Sequence, residues 1–364
     1  MAYTNIDDPS ANFQIATYTG TSGNARQVTN DGNSDLKPDL VWIKGRSNQS
    51  HNLLYDSSRG VYKQIYSDIT NSEATATNGL QLFTTDGFKV GSYVYANENN
   101  HTFVAWQWKA NGGTTTSVSA SGTGNGCVNA CTHQANTTAG FSIITYTGRD
   151  DQLNNAQESK LTHGLGVAPS VFICKRRDAA DDWFYLGGKQ SSVNNGWNNA
   201  FLSLNDTDAV NGNHYTSNNE PDATHIFLGN EKVNIASATY IGYAFAEKQG
   251  YSKFGSYEGN SNANGPFIYT GFKPAFVMLK PADVAEQWVM HDGTRDPFNK
   301  AYHYLFANGD EAEASGGTHH IDLLSNGFKI RTSNANWNAS STVIYMAFAE
   351  NPFVTSTGTP TTAR

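Results

Sequence analysis

Charged side chains are scarce in this chain of 364 residues. Asp, Glu, Lys and Arg make up 15% of it, against about 25% in a usual soluble protein. The 32 acidic residues outnumber the 24 basic ones, which gives a formal net charge of −8. Because a protein that binds nucleic acid needs clustered Lys and Arg for the phosphates, we expect no nucleic-acid partner.

Long apolar runs are lacking as well. No stretch approaches the roughly 18 apolar residues of a membrane-spanning segment, so we expect no membrane insertion. Residues 1–9 have neither the basic region nor the apolar region of a secretory signal. We therefore expect a protein that stays in the cytoplasm of the cell that makes it, until lysis.

Cysteine is rare, with three residues in the whole chain. Cys174 lies in an apolar run and is expected to be a small buried side chain. Cys127 and Cys131 are followed by His133, but three ligands are too few for structural zinc, which takes four. A disulfide and two free thiols both remain open for this pair. We expect no metal site and no other cofactor.

What the sequence has instead is self-similarity. Three segments share a Tyr-x-Gly tripeptide, then a proline-led apolar run that stops at a lysine, then an aromatic closing strand. The prolines lie about 131 and about 105 residues apart, the size of a small domain rather than of a solenoid repeat. The prolines and lysines of the three copies are Pro38 and Lys44, Pro169 and Lys175, and Pro274 and Lys280.

Short runs rich in Val, Ile, Phe, Tyr, Trp and Thr between Gly, Asn, Asp and Pro clusters indicate β-structure throughout. The proline-led runs are nearly all apolar, as in strands buried on both faces. We predict an all-β fold of three tandem antiparallel β-sandwich domains. The predicted boundaries are repeat 1 at 1–110, a Gly/Ser/Thr-rich linker at 111–140, repeat 2 at 141–250, repeat 3 at 251–354 and a flexible tail at 355–364.

Few residues suggest chemistry. Asp56 and Arg59 match Asp292 and Arg295, and we interpret each as a loop-stabilising ion pair rather than a ligand clamp. The three strand-end lysines are expected to keep their ammonium groups in water. The oxygen-rich segment 205–213 leaves a calcium loop open, although it lacks the glutamate of an EF-hand. No catalytic constellation emerges, so we expect no enzyme.

Two tryptophans lie in Asn-rich stretches that predict exposed loops. Trp197 is followed by Asn198, and Trp337 by Asn338. Aromatic faces with amide groups beside them suit sugar rings, so these four residues are the predicted glycan or surface contacts. Burial by packing is the alternative for any tryptophan, and we favour it for Trp106 and Trp108 in the first closing strand.

The segments 162–169, 251–257, 269–277 and 345–350 resemble a repeat family found in structural proteins of marine tailed phages, described as tail-fibre, minor-tail or virion-surface proteins. The resemblance covers residues 130–353 well and residues 1–110 as a diverged copy. It implies lectin-like sandwiches of the jelly-roll, concanavalin-like type in a non-enzymatic virion protein, either a tail or fibre component or a capsid-surface decoration. It carries over no catalytic residues.

The partners that the resemblance implies are copies of the chain, with a homotrimer as one solution, other virion proteins and a host surface glycan. A carbohydrate-binding adhesin outside a virion is the alternative function. A glycan-degrading enzyme is a weaker one, because no second carboxylate is matched between the repeats for glycoside hydrolysis.

Overall fold

The structure, a computed structural model, describes residues 3–152, 157–188, 197, 200–211, 219–229, 232–317, 319–338 and 341–361. Nearly all regular structure in them is antiparallel sheet, which confirms the all-β sandwich prediction. None of the helices in these ranges could cross a membrane. The helices are α1 (Val94–Asn97), α2 (Ala335–Asn338) and two 3-10 turns, Pro9–Ala11 and Asp150–Gln152.

Repeat 1 has a six-stranded sheet in the order β1-β9-β3-β4-β5-β6 and a small sheet in the order β2-β8-β7. The closing strand β9 therefore lies between the opening strand and the proline-led strand. Its strands are β1 (Phe13–Thr19), β2 (Arg26–Val28), β3 (Leu40–Gly45), β4 (Leu53–Asp56), β5 (Lys63–Tyr66), β6 (Ala74–Thr75), β7 (Leu80–Phe83), β8 (Phe88–Val90) and β9 (Thr102–Trp108).

Repeat 2 keeps this plan in the order β10-β11-β12-β18-β14-β15-β16, with a two-stranded sheet β13-β17 beside it. It has two additional strands, β10 and β11, at one edge of the large sheet, and among its described residues neither a counterpart of β6 nor a third strand in the small sheet. Its strands are β10 (Thr116–Val118), β11 (Cys131–Asn136), β12 (Phe141–Thr147), β13 (Ser159–Thr162), β14 (Val171–Arg176), β15 (Trp183–Gly187), β16 (Leu202–Ser203), β17 (His225–Leu228) and β18 (Thr239–Phe245).

Repeat 3 has the order β19-β27-β21-β22-β23-β24 and a small sheet β20-β26-β25, which reproduces repeat 1 strand for strand. Its strands are β19 (Ser252–Glu258), β20 (Phe267–Tyr269), β21 (Phe272–Pro281), β22 (Val289–Asp292), β23 (His303–Phe306), β24 (Ala314–Ser315), β25 (Ile321–Leu324), β26 (Gly327–Ile330) and β27 (Thr342–Pro352).

The proline-led strand of each large sheet is buried on both faces, which explains its nearly unbroken apolar run. One face packs on the small sheet of the same repeat and forms a core of its own. The other face packs on the other two repeats in a single central core. The repeats are therefore three sandwiches that share one interior.

Equivalent side chains from the three closing strands meet at the middle of that central core. Trp108, Phe245 and Phe348 form a triangle with ring centroids 5.5–6.4 Å apart. Each of the three is buried. The repeats are thus arranged around a pseudo-threefold axis, which passes through this aromatic triangle.

The segment predicted as a linker contains two strands. Residues 131–136 pair along their whole length with β12, and residues 116–118 pair with β11. Gln134, which is buried, accepts hydrogen bonds from the backbone N–H groups of Asn111 and Gly113 and so secures the connection from repeat 1. The segment predicted as a Gly/Ser/Thr-rich linker thus contributes strands to the sheet of repeat 2, with hydrogen-bonded Thr and Gln side chains in place of the apolar residues that usually reveal a strand.

The structure describes the predicted tail as far as residue 361, and residues 362–364 lie outside the described ranges. The backbone N–H of Ser356 donates a hydrogen bond of 2.6 Å to the carboxylate of Asp7. Val354 also pairs with Pro360 in an isolated bridge. The two ends of the fold therefore lie side by side.

Candidate functional site

Of the four predicted contact residues, the three that the structure describes do not face solvent. Trp337 is 2% exposed and Asn338 is fully buried, where its amide donates to the carbonyls of Asn262 (2.6 Å) and Thr332 (2.7 Å). The Asn-rich loop turns inward because these backbone carbonyls satisfy its amide. The prediction of exposure is wrong for both residues.

Trp197 is also buried, at 7% exposure. Its ring lies against Gly187, where an added Cβ would come within 2.8 Å of it. The predicted exposure of Trp197 is therefore wrong too, because the ring fills the space that a glycine leaves. Asn198 lies outside the described residues.

The three strand-end lysines are buried, contrary to expectation. Desolvation lowers the pKa of each ammonium group to about 8. Each Nζ donates to a backbone carbonyl of a neighbouring repeat, which explains why it leaves water. The bonds are Lys44 to Gly309 (2.9 Å), Lys175 to Thr70 (3.0 Å) and Lys280 to Thr207 (3.1 Å).

These bonds run in one cyclic direction. The lysine of repeat 2 donates to a carbonyl of repeat 1, that of repeat 3 to a carbonyl of repeat 2, and that of repeat 1 to a carbonyl of repeat 3. A second equivalent position repeats the pattern, since Trp183 donates to Tyr66 O (2.6 Å), Trp288 to Ser203 O (2.9 Å) and Asn52 to Ala307 O (3.2 Å). The three repeats therefore form a closed ring with three equivalent junctions.

The paired aspartates and arginines lie at two of these junctions. Arg59 and Arg295 have fully buried side chains, and each Nε lies 2.5 Å from its aspartate, Asp56 or Asp292. The neighbouring repeat completes each pair through a hydrogen bond to the aspartate. Tyr243 donates its hydroxyl to Asp56 at 2.9 Å, and Trp106 donates Nε1 to Asp292 at 3.1 Å.

A glutamate extends each network across the junction. Glu73 binds Arg59 of its own repeat and Arg177 of repeat 2, the latter at 2.9 Å. Glu313 likewise binds Arg295 and, at 2.7 Å, Arg46 of repeat 1. Burial raises the pKa of the two glutamates, but the arginine hydrogen bonds and charges more than offset it, so each pKa is lowered.

At the junction between repeats 3 and 2, the residues that the structure describes form no such network. Register and backbone hydrogen bonds identify the equivalent positions there. All of them are uncharged, so no buried charge is left without its partner. Gly187 replaces the aspartate, Met346 the Tyr or Trp donor, Val210 the glutamate, and Ala282 the arginine of the neighbouring repeat. At the described positions, these polar residues are thus present or absent together, which is typical of a structural role.

Three histidines border a small cavity between the two sheets of repeat 3. Within the described chain, Nδ1 of His291, Nδ1 of His319 and Nε2 of His320 are buried without a hydrogen-bond partner. Burial lowers the pKa of all three, that of His319 to about 4. In the ranges that the structure covers, no group of three or more His, Cys, Asp or Glu residues is placed to hold a metal ion.

Acid is expected to destabilise the protein through these histidines. Their pKa values are lower in the folded state than the usual 6.5, so below pH 6.5 the unfolded chain binds more protons and the free energy of unfolding falls toward pH 4. Urea denaturation between these limits measures the slope, which His319→Gln should reduce. An unchanged slope in this variant would contradict the assignment. The buried lysines titrate near pH 8 and lie outside the window.

The remaining polar candidates are the three cysteines and the oxygen-rich segment 205–213. Cys127, Cys131 and Cys174 are buried free thiols. In the segment considered as a calcium loop, the side chain of Asn205 accepts a hydrogen bond from the backbone N–H of Trp183 (2.7 Å). In repeat 3, Asn308 accepts the equivalent bond from the backbone N–H of Trp288 (2.9 Å). Residues 212 and 213 of that loop lie outside the described ranges.

Two surface features bear on ligand binding. An open groove of about 490 Å³ follows the outer strands of repeat 2 and is lined mainly by small and hydroxyl side chains, including Thr132 and Thr145, together with Arg177. Its one aromatic residue, Tyr146, is buried. Exposed aromatic rings occur instead on repeat 3. Phe267 (44% exposed) and Tyr269 (51%) alternate on β20, and Phe298 (80%) and Tyr302 (42%) lie in the segment between β22 and β23. The sequence analysis did not identify Phe267 and Tyr269. An alignment of the three repeats could have done so, because repeats 1 and 2 have polar residues at the two equivalent positions.

The fold and junctions thus define a three-repeat, all-β protein closed around one core. The chain belongs to the family described as Domain of unknown function (DUF7483), whose model matches residues 8–352. No curated protein and no solved structure matches it. Because the match spans all three repeats, the family's domain corresponds to the whole ring rather than to one sandwich.

Proposed function

We propose that this chain is a non-enzymatic structural protein of a bacteriophage virion, placed on the tail or on the capsid surface, with an outer face that contacts host glycan. The observation that supports this best is the use of its buried charged residues. The lysines, arginines and acidic residues of the junctions bind neighbouring repeats, whereas a catalytic site needs such groups beside space for a substrate. The resemblance to phage structural repeats supports the location.

Particle labelling tests the location. Purified virions of the phage that encodes the chain are imaged with an antibody raised against it, with pre-immune serum as the control. Label at a fixed place on the particle, at the tail or over the capsid, is the expected result and distinguishes the two positions. Absence of the chain from purified particles, checked by mass spectrometry, would overturn the proposal and favour an adhesin outside a virion.

Incubation with host envelope polysaccharide tests for the weaker alternative, a glycan-degrading enzyme. We expect no new reducing ends from the purified chain. Their appearance at a rate proportional to protein concentration would refute the non-enzymatic role.

Binding to other virion proteins and to copies of the chain is also part of the proposal. The ring already closes within one chain, so a trimer would add contacts on outer surfaces rather than complete the central core. Light scattering of the purified protein measures this association.

A further inference from the structure

The exposed aromatic pair lies on an edge strand. In β20 the side chains of Phe267 and Tyr269 point outward, and Ile268 between them is buried in the core of repeat 3. The Phe267 ring lies over Gly327, where an added Cβ would come within 3.1 Å of Cε2. The ring thus lies beside the backbone of the neighbouring strand, and its 44% exposure leaves part of it in contact with solvent.

The fold does not require aromatic residues at these positions. In repeat 1 the equivalent buried residue is Val28, which pairs with Phe88 as Ile268 pairs with Phe328. The outward positions beside it are Gln27 and Thr29 in repeat 1, and Lys160 and Thr162 in repeat 2. Two exposed aromatic side chains at positions that are polar in both sibling copies are typical of a binding surface.

A positive charge lies next to the rings. Lys329 is directly opposite Phe267 on the neighbouring strand, so the two side chains share the outer face. No ion pair of Lys329 occurs among the described residues. Asp322 lies directly opposite Lys329 on β25, but its carboxylate is paired with Arg331 at 2.6 Å. This face therefore carries an uncompensated positive charge on a protein with a net charge of −8.

We propose that Phe267, Tyr269 and Lys329 bind acidic polysaccharide, with sugar rings stacked on the two aromatic faces and a uronate carboxylate paired with the ammonium group. Two rings and one cation form too small a surface for a stable protein interface, which needs about 1,000 Å². They are enough for one or two sugar residues. Weak single contacts become strong when many copies bind one polymer. The proposal deepens the glycan contact proposed above and rests on it.

Binding of the purified full-length chain to alginate, polygalacturonate and hyaluronate, with neutral dextran as the comparison, tests the proposal. The variant Phe267→Gln/Tyr269→Thr carries the residues of repeat 1 and should therefore fold. We expect it and Lys329→Gln each to weaken binding of at least one polyuronate by about tenfold or more. The control Leu82→Gln changes a 47% exposed side chain of repeat 1 and should bind as the original chain does.

Three results would overturn the proposal: no polyuronate bound by the original chain at millimolar sugar, equal binding by the variants, or dextran bound as tightly as the polyuronates. Thermal unfolding of every variant checks that lost binding is not lost folding. Particle labelling is independent of these measurements, so failure of the glycan site and failure of the virion location can be distinguished.

Discussion

Replacing Asp292 by alanine is expected to lower the free energy of unfolding by about 3–5 kcal/mol. The guanidinium of Arg295 is fully buried and would keep its charge with only Glu313 to balance it. Trp106 would also lose the acceptor for its indole N–H, which lies 3.1 Å from Asp292. Urea denaturation followed by circular dichroism measures the change.

An exposed ion pair provides the matched control. Lys253 lies 2.7 Å from Glu247, a distance close to that of the buried pair, but both side chains are at least one-third exposed. Lys253→Ala should therefore cost less than about 1 kcal/mol. A similar loss in the two variants would contradict the argument that burial sets the effect. Combining Asp292→Ala with Arg295→Met should recover part of the loss, because the unpaired charge is removed.

Replacing Trp108 by alanine should cost about 3–5 kcal/mol, because it opens a cavity where all three repeats meet. The indole N–H has no hydrogen-bond partner in the described part of the chain, so packing accounts for the expected effect. Trp108→Phe introduces the residue that the other two repeats have at this position, Phe245 and Phe348, and should lower the free energy of unfolding clearly less. Urea denaturation of the two variants measures the difference, and equal losses would contradict the central role of this ring.

Calorimetry provides a second measurement of the same core. Because the three repeats share one apolar interior, we expect the original chain to unfold in a single heat-absorption peak. Separate peaks for separate repeats would show that the triangle of aromatic rings does not couple them.

The fold class could be predicted because its signal is local. The proline-led runs are apolar at nearly every position, and the structure places them as inner strands buried on both faces. The shared core could not be predicted, since an apolar side chain in a strand does not indicate which of two neighbours will cover it.

The surface predictions failed for a related reason. A lysine that follows an apolar run usually reaches water, but the carbonyl that receives Lys44 comes from Gly309, far away in the sequence. Asn-rich flanks predict exposure, yet the amide of Asn338 is satisfied by two carbonyls inside the fold. A signal was nevertheless present, because Asp292 and Trp106 have Gly187 and Met346 as their counterparts at the third junction. Polar residues lost together are expected to be in contact.

The closed ring has a consequence for how such a protein diversifies. In an assembly of three identical subunits, any substitution is displayed three times, once per subunit. Here each repeat has its own sequence, so the outer surface of one repeat can acquire a new property while the other two repeats remain unchanged. The aromatic rings of β20 occur in one copy of the three, and the uncharged junction of Gly187 and Met346 likewise occurs once. Linking the copies in one polypeptide thus permits an asymmetric exterior around a nearly symmetric interior.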